Sequence, residues 1–331
     1  MSNQDDEFKN KNRQALEESS ITPHGNLVLK SLNIDPVAIK DIKPPWKRNK
    51  YRAVVNWLTK YKTSPDVSNL EKVKGYLEAL HHLCELKVWE EAGKIIMVCL
   101  NTPTNEELHN QLDTWGYHSE QIELYKKLLN QVNPSFDAIL LNGLGNAYYV
   151  LGRYIQAADY HNQHLALARK IENRQGEGSA LGNLGSVDHA LGNYDQAIDY
   201  YEQYLAIAKE IKYRQGEGEA LSNLGSVYYD LGNYAKAVDY HQQSLTLAQQ
   251  NQNRLGESQS LLNLGNIYIA LGDYKKAIDY YQSSLTTSSA IGYRHGESLA
   301  LGILGSAYVS ISDYAKAIDY HEQSLIIARE M

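Results

Sequence analysis

A repeat of forty residues governs what this 331-residue chain can fold into. Five Leu-Gly pairs recur at that interval: Leu144-Gly145, Leu184-Gly185, Leu224-Gly225, Leu264-Gly265 and Leu304-Gly305. Tyrosine follows the same spacing from Tyr154 to Tyr314, and alanine follows it from Ala157 to Ala317. Five copies in one register indicate a repeat architecture, in which each unit is one supersecondary element stacked on its neighbours.

Each unit has the pattern of two helices. In the second unit a first apolar stripe ends at Leu191-Gly192-Asn193, since glycine is a common residue just after a helix. A second stripe places apolar side chains at steps of three and four, at Tyr194, Ala197, Ile198, Tyr201, Leu205 and Ala208. Gly185 and Ala197 are small where the two helices must approach closely. Neither helix can bury its stripe alone, so the pairs are expected to stack.

Proline, tryptophan and cysteine are confined to the first part of the chain. All seven prolines precede residue 135, and so do the four tryptophans and both cysteines. Without proline, residues 135–331 favour helices joined by glycine turns. The longest apolar run, Ile95–Leu100, has six residues, whereas a membrane-spanning helix needs about 20. The polar start and the absence of a CxxC pair predict no secretory signal and a cytoplasmic location without membrane partners.

The repeat resembles the tetratricopeptide repeat (TPR), whose small-residue and aromatic positions appear as Leu224-Gly225-x-x-Tyr228, Ala237, His241 and Ser244. The Leu-Gly-Asn triplets at 144–146, 181–183, 191–193, 231–233 and 264–266 also resemble the Pins/Leu-Gly-Asn group and cyanobacterial TPR arrays. The resemblance implies an all-α, right-handed α-solenoid of TPR helix pairs, five of them regular and about two degenerate. It also implies a role in protein binding.

Three features depart from the family pattern. The proline between repeats is missing, and the last unit stops at Met331 inside its second helix, without a capping helix. His164 and Tyr204 occupy a position that is small in the family, so packing there is expected to open locally.

The chain before the regular array is predicted in three parts. Residues 1–25 are polar and are expected to form a disordered tail, and residues 26–63 a basic linker followed by a helix over 51–61. Residues 64–133 are expected to form degenerate TPR-like helix pairs, and 134–331 the five forty-residue units.

Two turns carry the prediction of degenerate pairs. Leu86-Lys-Val-Trp89 and Trp115-Gly-Tyr-His118 each align with the regular turn Leu151-Gly-Arg-Tyr154. Prolines 103 and 134 fall between pairs, where helices must end. Residues 50–129 also resemble the region that precedes such repeats in cyanobacterial signalling proteins of the NACHT/NB-ARC ATPase type.

The charge is uneven along the chain. The net charge is −7, yet residues 40–62 contain eight lysines or arginines against the single Asp41. This basic segment is the one expected anion-binding patch, and the acidic remainder would repel nucleic acid.

No catalytic constellation stands out. The glycines from 176 to 185 open a helix without a preceding strand and lack the GxxxxGK[ST] pattern of a phosphate loop. His161, His241 and His321 alternate with tyrosine at one repeat position, which predicts packing residues. His81 and His82 lack an accompanying metal motif, and Cys84 and Cys99 are expected to be buried thiols on facing helices. We therefore expect no enzyme activity, no cofactor and no metal.

Repeated polar residues predict a recognition surface. The first helix of each TPR pair lines the concave face, and there Asn183, Asn223 and Asn263 lie one unit apart. One turn later come Asn146, Ser186, Ser226, Asn266 and Ser306. An asparagine amide both donates and accepts, so the ladder could pair with the backbone of an extended peptide; a merely solvated polar face is the alternative.

Further residues define the expected groove. Tyr229, Leu262 and Ile269 are expected to supply apolar pockets, and His189 with Asp188 and Asp230 forms the one lone polar cluster. Glu219 and these aspartates favour a neutral to basic partner segment. Arg174, Arg214, Arg254 and Arg294 are expected to pair with the glutamate three residues on, or else to reach into the groove.

The sequence thus favours a non-enzymatic protein-interaction scaffold. The first alternative is a regulatory or sensor module of a NACHT/NB-ARC-type signalling system, docking through its basic segment and its open C-terminal end, which could also self-associate. The lesser alternative is nucleic-acid binding by residues 40–62, with Trp46, Tyr51 and Trp57 as stacking groups.

Overall fold

The computed structural model describes residues 21–330, which contain sixteen α-helices, one 3₁₀ helix and no strand beyond an isolated bridge between Cys99 and Glu107. Consecutive helix pairs pack in a repeat array, which confirms the all-α fold class. None of these helices is both long and apolar enough to cross a membrane. The chain divides into two compact units, with the boundary between Tyr160 and His161.

The first unit contains helices of unequal length. They are α1 (Gly25–Ser31), a 3₁₀ helix (Ala38–Asp41), α2 (Pro45–Lys60), α3 (Asn69–Glu85), α4 (Trp89–Ile96), α5 (Leu108–Thr114), α6 (His118–Leu128) and α7 (Pro134–Val150). Helix α2 begins six residues before its predicted start at Tyr51 because Pro45, with its fixed φ, suits the first turn of a helix.

Residues 21–25 differ from the predicted tail. The hydroxyl of Tyr76 donates to the carbonyl of Pro23 at 2.8 Å, and the amide of Asn101 donates to the carbonyl of Ile21 at 2.8 Å. These long-range bonds hold the segment before α1 against α3 and the loop after α4. The rest of the predicted tail, residues 1–20, lies outside the described residues.

The two degenerate turns lie between helices of matched pairs, α3 with α4 and α5 with α6. Lys87 and Gly116 adopt φ values of 58° and 80°, the left-handed conformation that ends such helices. Cys84 is half-buried, and burial raises the pKa of its thiol to about 11. The prediction of two buried thiols on facing helices is wrong for Cys99, which lies exposed in the segment after α4.

The second unit begins within α8 (Tyr154–Lys170). It continues with α9 (Arg174–Ala190), α10 (Tyr194–Glu210), α11 (Arg214–Asp230), α12 (Tyr234–Gln250), α13 (Arg254–Ala270), α14 (Tyr274–Ala290), α15 (Arg294–Ser310) and α16 (Tyr314–Glu330). Every one of these helices has 17 residues, and three-residue turns join them.

A left-handed residue closes both kinds of turn. Within pairs it is Gly192, Gly232 or Gly272, with φ of 72–78°, or Ser312, with φ of 62°. Between pairs it is Glu172, Lys212 or Gln252, with φ of 54–57°, or Gly292. A left-handed residue therefore ends the helix where the family uses proline, which explains how the array dispenses with it.

The Leu-Gly pair is explained by contact with a ring on the second helix. A Cβ placed on Gly185 would lie 2.7 Å from the ring of Tyr201, and one on Gly225 would lie 2.7 Å from the ring of His241. Only glycine allows these rings to reach the partner helix. The prediction that His161 and His241 are packing residues is confirmed, since each is 1% exposed. His321, on the last helix, is exposed.

Packing does not open at Tyr204, contrary to expectation. Its ring lies 3.0–3.1 Å from where a Cβ of Gly178 or Gly182 would stand, and the residue is 5% exposed. The two glycines of α9 provide the space that a small residue provides in the family. His164 is likewise buried.

The arginines at the helix starts pair with glutamates, as predicted. Arg214, Arg254 and Arg294 bind the carboxylate three residues on at 2.7–2.8 Å, and Arg174 binds Glu177 in the same way. Two of them also bridge to the end of the next helix, Arg174 to Glu210 and Arg294 to Glu330.

We expect Gly225→Ala to destabilise the protein by about 1–3 kcal/mol, because the new methyl group would collide with the buried ring of His241. Gly218→Ala, in the same helix α11, is the matched control. Its Cβ would meet nothing nearer than Leu247 at 3.7 Å, so the higher helix propensity of alanine should raise stability by about 1 kcal/mol. Urea unfolding followed by circular dichroism measures both, and equal effects would contradict the ring contact.

Acid should weaken the array through its buried imidazoles. Burial lowers the pKa of His161, His164 and His241 to about 4, against about 6.5 in the unfolded chain. The unfolded state therefore binds more protons between these values, and stability present above pH 6.5 is lost as the pH falls toward 4.

His241→Tyr should remove one such contribution, about 2 kcal/mol at pH 5. Tyrosine already fills the equivalent positions 201 and 281, so stability at pH 7.5 should be retained. Urea midpoints at the two pH values measure the effect. His321→Tyr makes the same chemical change at an exposed site, and a similar gain there would argue against burial as the cause.

Candidate functional site

The asparagine ladder lies on three first helices of the second unit, α9, α11 and α13. Asn183, Asn223 and Asn263 are each half-buried at the same point of their helix. Within residues 21–330, the side-chain amides of Asn223 and Asn263 have no hydrogen-bond partner. Each therefore offers one acceptor and two donor hydrogens at a partly dry surface.

The row of polar residues one turn later serves the fold. The hydroxyl of Tyr201 donates to Ser186 at 3.1 Å, and the hydroxyl of Tyr281 donates to the amide oxygen of Asn266 at 2.8 Å. Ser226 donates to the backbone carbonyl of Ser222. The bonds to Ser186 and Asn266 hold the rings that cross onto the glycines, so these two residues offer less to a ligand than the ladder does.

Two members of that row stand apart. Asn146 is exposed on α7 and belongs to the first compact unit. Ser306 is exposed on α15, where its hydroxyl donates to the carbonyl of Gly302.

The lone polar cluster does come together. His189 Nε2 lies 2.6 Å from a carboxylate oxygen of Asp230, so the pair links α9 to α11. Asp188 accepts from the side-chain amide of Asn193 at 2.9 Å.

Asp188 also interrupts a ladder of stacked tyrosines. Tyrosine stands at the equivalent positions 148, 228, 268 and 308, each stacked at 5.4 Å on the tyrosine twelve residues on. Lysines cover three of these rings in the second unit, as where Lys236 Nζ lies 4.5 Å from the centre of Tyr228. The second pair therefore presents an anion where its neighbours present an aromatic ring.

Glu219 is exposed and accepts two hydrogen bonds. It accepts from the hydroxyl of Tyr204 at 2.8 Å and from the side-chain amide of Gln215 at 3.0 Å. Burial, and next the charge of Glu219, raise the pKa of Tyr204. The carboxylate therefore anchors a buried phenol as well as adding negative charge to the helix face.

The apolar groups expected in the groove divide between surface and core. Tyr229 and Ile269 are half-buried. Leu262 does not line an open pocket as expected: it is 7% exposed and packs in the core with Ile278 and Tyr281. Its position on α13 faces the next pair, which covers it.

A cavity of about 640 Å³ between α11 and α13 was missed by the sequence reasoning. Its lining includes Asn223 of the ladder and Glu219, together with Gly218, Ser222, Ser244 and Asn253. Arg214 also lines it while bound to Glu217. A comparison of Tyr204 with Ser244 and of Tyr213 with Asn253, forty residues apart, could have revealed it.

The basic segment lies in the first unit. Lys50 binds Glu85 of α3 at 2.5 Å, Trp57 packs on Tyr61, and Trp46 is 58% exposed. The same oxygen of Glu85 lies 2.9 Å from His82 and 3.6 Å from His81. Bonds from Lys50 and then His82 lower the pKa of Glu85 to about 2. His81, His82 and Glu85 form the one group in 21–330 with the geometry of a metal site, and Lys50 competes with a cation for Glu85.

Several solved structures share the fold. The STAND (signal transduction ATPase with numerous domains) protein with a tetratricopeptide repeat sensor from Pyrococcus horikoshii is similar at a TM-score of 0.60 and 19% identity. The match covers 92% of this chain and 46% of that one, so the chain spans about half its length. BtubC from P. vanneervenii is similar at a TM-score of 0.54 and 18% identity, over 68% of this chain and 93% of that one.

A Rap protein complexed with competence and sporulation factor is similar at a TM-score of 0.52 and 14% identity, over 92% of this chain and 98% of that one. All three identities are low, so these likenesses establish the fold alone.

No curated protein matches the sequence. The family model for the tetratricopeptide repeat matches residues 136–210, 216–290 and 257–330, more than half of the chain. Together with the paired helices and the Leu-Gly contacts, this match shows that the chain belongs to the tetratricopeptide repeat family.

Proposed function

We propose that this protein is an interaction scaffold that binds an extended partner segment along α9, α11 and α13 through Asn183, Asn223 and Asn263. The fold and family support the role of protein-interaction scaffold. The observation that carries the finer proposal is the pair of unpartnered, half-buried amides of Asn223 and Asn263, one repeat apart. Asparagine is a poor helix former, so its recurrence within helices needs a reason outside the helix.

Amide groups in a row suit a peptide backbone. Each asparagine can accept from one backbone N–H and donate to one backbone C=O, which gives affinity without reading sequence. Ser186, Ser226 and Asn266 would border the segment, and Tyr229 with Ile269 would contact its apolar side chains.

The charge of the face favours a neutral to basic segment. Glu219, Asp188 and Asp230 lie on α9 and α11, and His189 is committed to Asp230. Acidic groups on the scaffold would repel an acidic segment and speed the approach of a basic one.

The triple variant Asn183→Ala, Asn223→Ala, Asn263→Ala should weaken binding of selected extended peptides at least tenfold. Peptides would be selected from a random display library on the wild-type protein, and their Kd measured by fluorescence anisotropy. Helical circular dichroism should not change, and the melting temperature is measured beside it, since Asn183, unlike Asn223 and Asn263, already makes an interaction within the fold.

The matched control removes three amides elsewhere: Gln203→Ala, Gln243→Ala and Gln323→Ala. Each of these side chains donates to the aspartate four residues earlier on the exposed face of a second helix. Affinity should survive in this control. Equal affinity of the wild type and the asparagine variant for these peptides would contradict binding through the asparagine ladder.

A second candidate is a sensor or regulatory module of an ATPase signalling system. The STAND protein, whose description includes a tetratricopeptide repeat sensor, matches 92% of this chain, including the irregular first unit. Docking would use exposed residues such as Arg52, Lys60 and Trp46 on α2, and Ile318 on α16, which is 60% exposed.

Charge reversal separates the two candidates. Arg52→Glu with Lys60→Glu should abolish co-purification with an ATPase partner expressed from the same host, while peptide binding on α9, α11 and α13 remains. The asparagine triple variant should do the opposite. Nucleic-acid binding is not favoured, because Lys50 is tied to Glu85 and Trp57 is packed on Tyr61.

A further inference from the structure

A joint is the space between the first helices of two successive pairs. In the joint between α9 and α11, an aromatic ring fills this space as a plug. Tyr204, on α10, fills the space between α9 and α11, with its ring on Gly178 and Gly182 and its hydroxyl on Glu219. Tyr213 closes the same space from the turn before α11, since a Cβ on Gly216 would collide with both tyrosines.

The next joint, between α11 and α13, lacks that plug. Forty residues after the two tyrosines stand Ser244 and Asn253. Ser244 is buried and donates to the carbonyl of Gly218 at 3.1 Å. A Cβ on Gly218 would meet only Leu247, at 3.7 Å, whereas one on the equivalent Gly178 meets the ring of Tyr204 at 3.1 Å. Ser222 stands where Gly182 does, so one of the two glycines that face the ring is kept and the ring itself is absent.

The following joint, between α13 and α15, shows how such a loss can be compensated. Serine again stands at the plug position, Ser284, but Leu262 and Ser258 replace the glycines that would face a ring. Ser258 and Ser284 bond to each other at 2.8 Å and are fully buried. Tyr293 closes the turn. In the joint between α11 and α13, Ser244 also bonds to Ser260, at 3.1 Å, but Gly218 is kept, no tyrosine stands at the turn, and a cavity of about 640 Å³ remains beside the two serines.

We propose that this cavity is a socket for a tyrosine side chain of the bound segment, an inference that rests on the proposed function and defines its specificity. The chain's own Tyr204 is the template for the occupant. The ring would lie on Gly218 and Ser222, with its hydroxyl at Gln259, which stands where Glu219 receives the hydroxyl of Tyr204. Asn223, on the cavity wall, would hold the backbone of the same segment.

A phenol suits this lining better than an aliphatic side chain. Two small residues offer a flat wall for a ring face, and the polar side chains of Gln259 and Asn253 lie where a hydroxyl would end. An aromatic body with a polar end combines apolar burial with a satisfied hydrogen bond.

The test uses N-acetyl-tyrosinamide as the probe, titrated into the full chain and followed by NMR. Wild type should bind it saturably, and at least tenfold more tightly than N-acetyl-alaninamide. Ser244→Tyr places the chain's own ring in the cavity and should reduce binding at least tenfold without lowering the melting temperature. Asn253→Tyr closes it from the other side and should also reduce binding at least tenfold, while losing the N-cap bond from the amide of Gly256 to Asn253. No saturable binding by wild type, or full binding by a well-folded Ser244→Tyr, overturns the socket.

A second arm separates the socket from the ladder. Asn183→Ala with Asn263→Ala leaves the cavity lining intact, so it should bind the tyrosine amide as wild type does. If selected peptides also bind this variant normally, the ladder fails and the socket stands. If Ser244→Tyr binds tyrosine-containing peptides as tightly as wild type, the socket fails and the ladder stands.

Discussion

The contact of a glycine with an aromatic or imidazole ring on the partner helix sets the geometry of the second unit. At Gly185 and Gly225 the missing Cβ lets the ring of Tyr201 or His241 reach the first helix. That approach fixes how closely the two helices of a pair lie, and repeated helix lengths and turns then place each pair alike on the last. Leu184 and Gly185 are buried, and Asn183 and its equivalents on α11 and α13 are half-buried beside these inward positions.

Much of the fold was predictable because the same structural positions recur in five copies of the repeat. The helix ends, the glycine turns, the packing role of His241 and the Arg–Glu pairs all follow from residues in register. The first unit was harder to predict from the sequence. Short helices such as α1, and bonds such as the one from Tyr76 to Pro23, do not follow from any repeated pattern. Cys99 was misplaced because its helix ends at Ile96.

The candidate site was less predictable than the fold. The rows of asparagine and serine are visible in the sequence, yet only contacts show that Asn266 and Ser186 hold tyrosines while Asn223 and Asn263 do not. Leu262 illustrates the same difficulty, because a leucine on a first helix can face either the solvent or the next pair. Tyr204 was expected to open the packing around it, but two glycines on another helix, Gly178 and Gly182, leave room for its ring.

The unfilled joint between α11 and α13 has a mechanical consequence. In a stacked array each pair is held mainly by its two neighbours, so resistance to bending is set joint by joint. A joint that lacks a ring loses the dispersion contacts that the ring would make with both walls. The array should therefore bend most easily at this joint, and a ring supplied by a ligand would stiffen it. Under the proposed function, a ligand at this one joint would change the stiffness of the second unit.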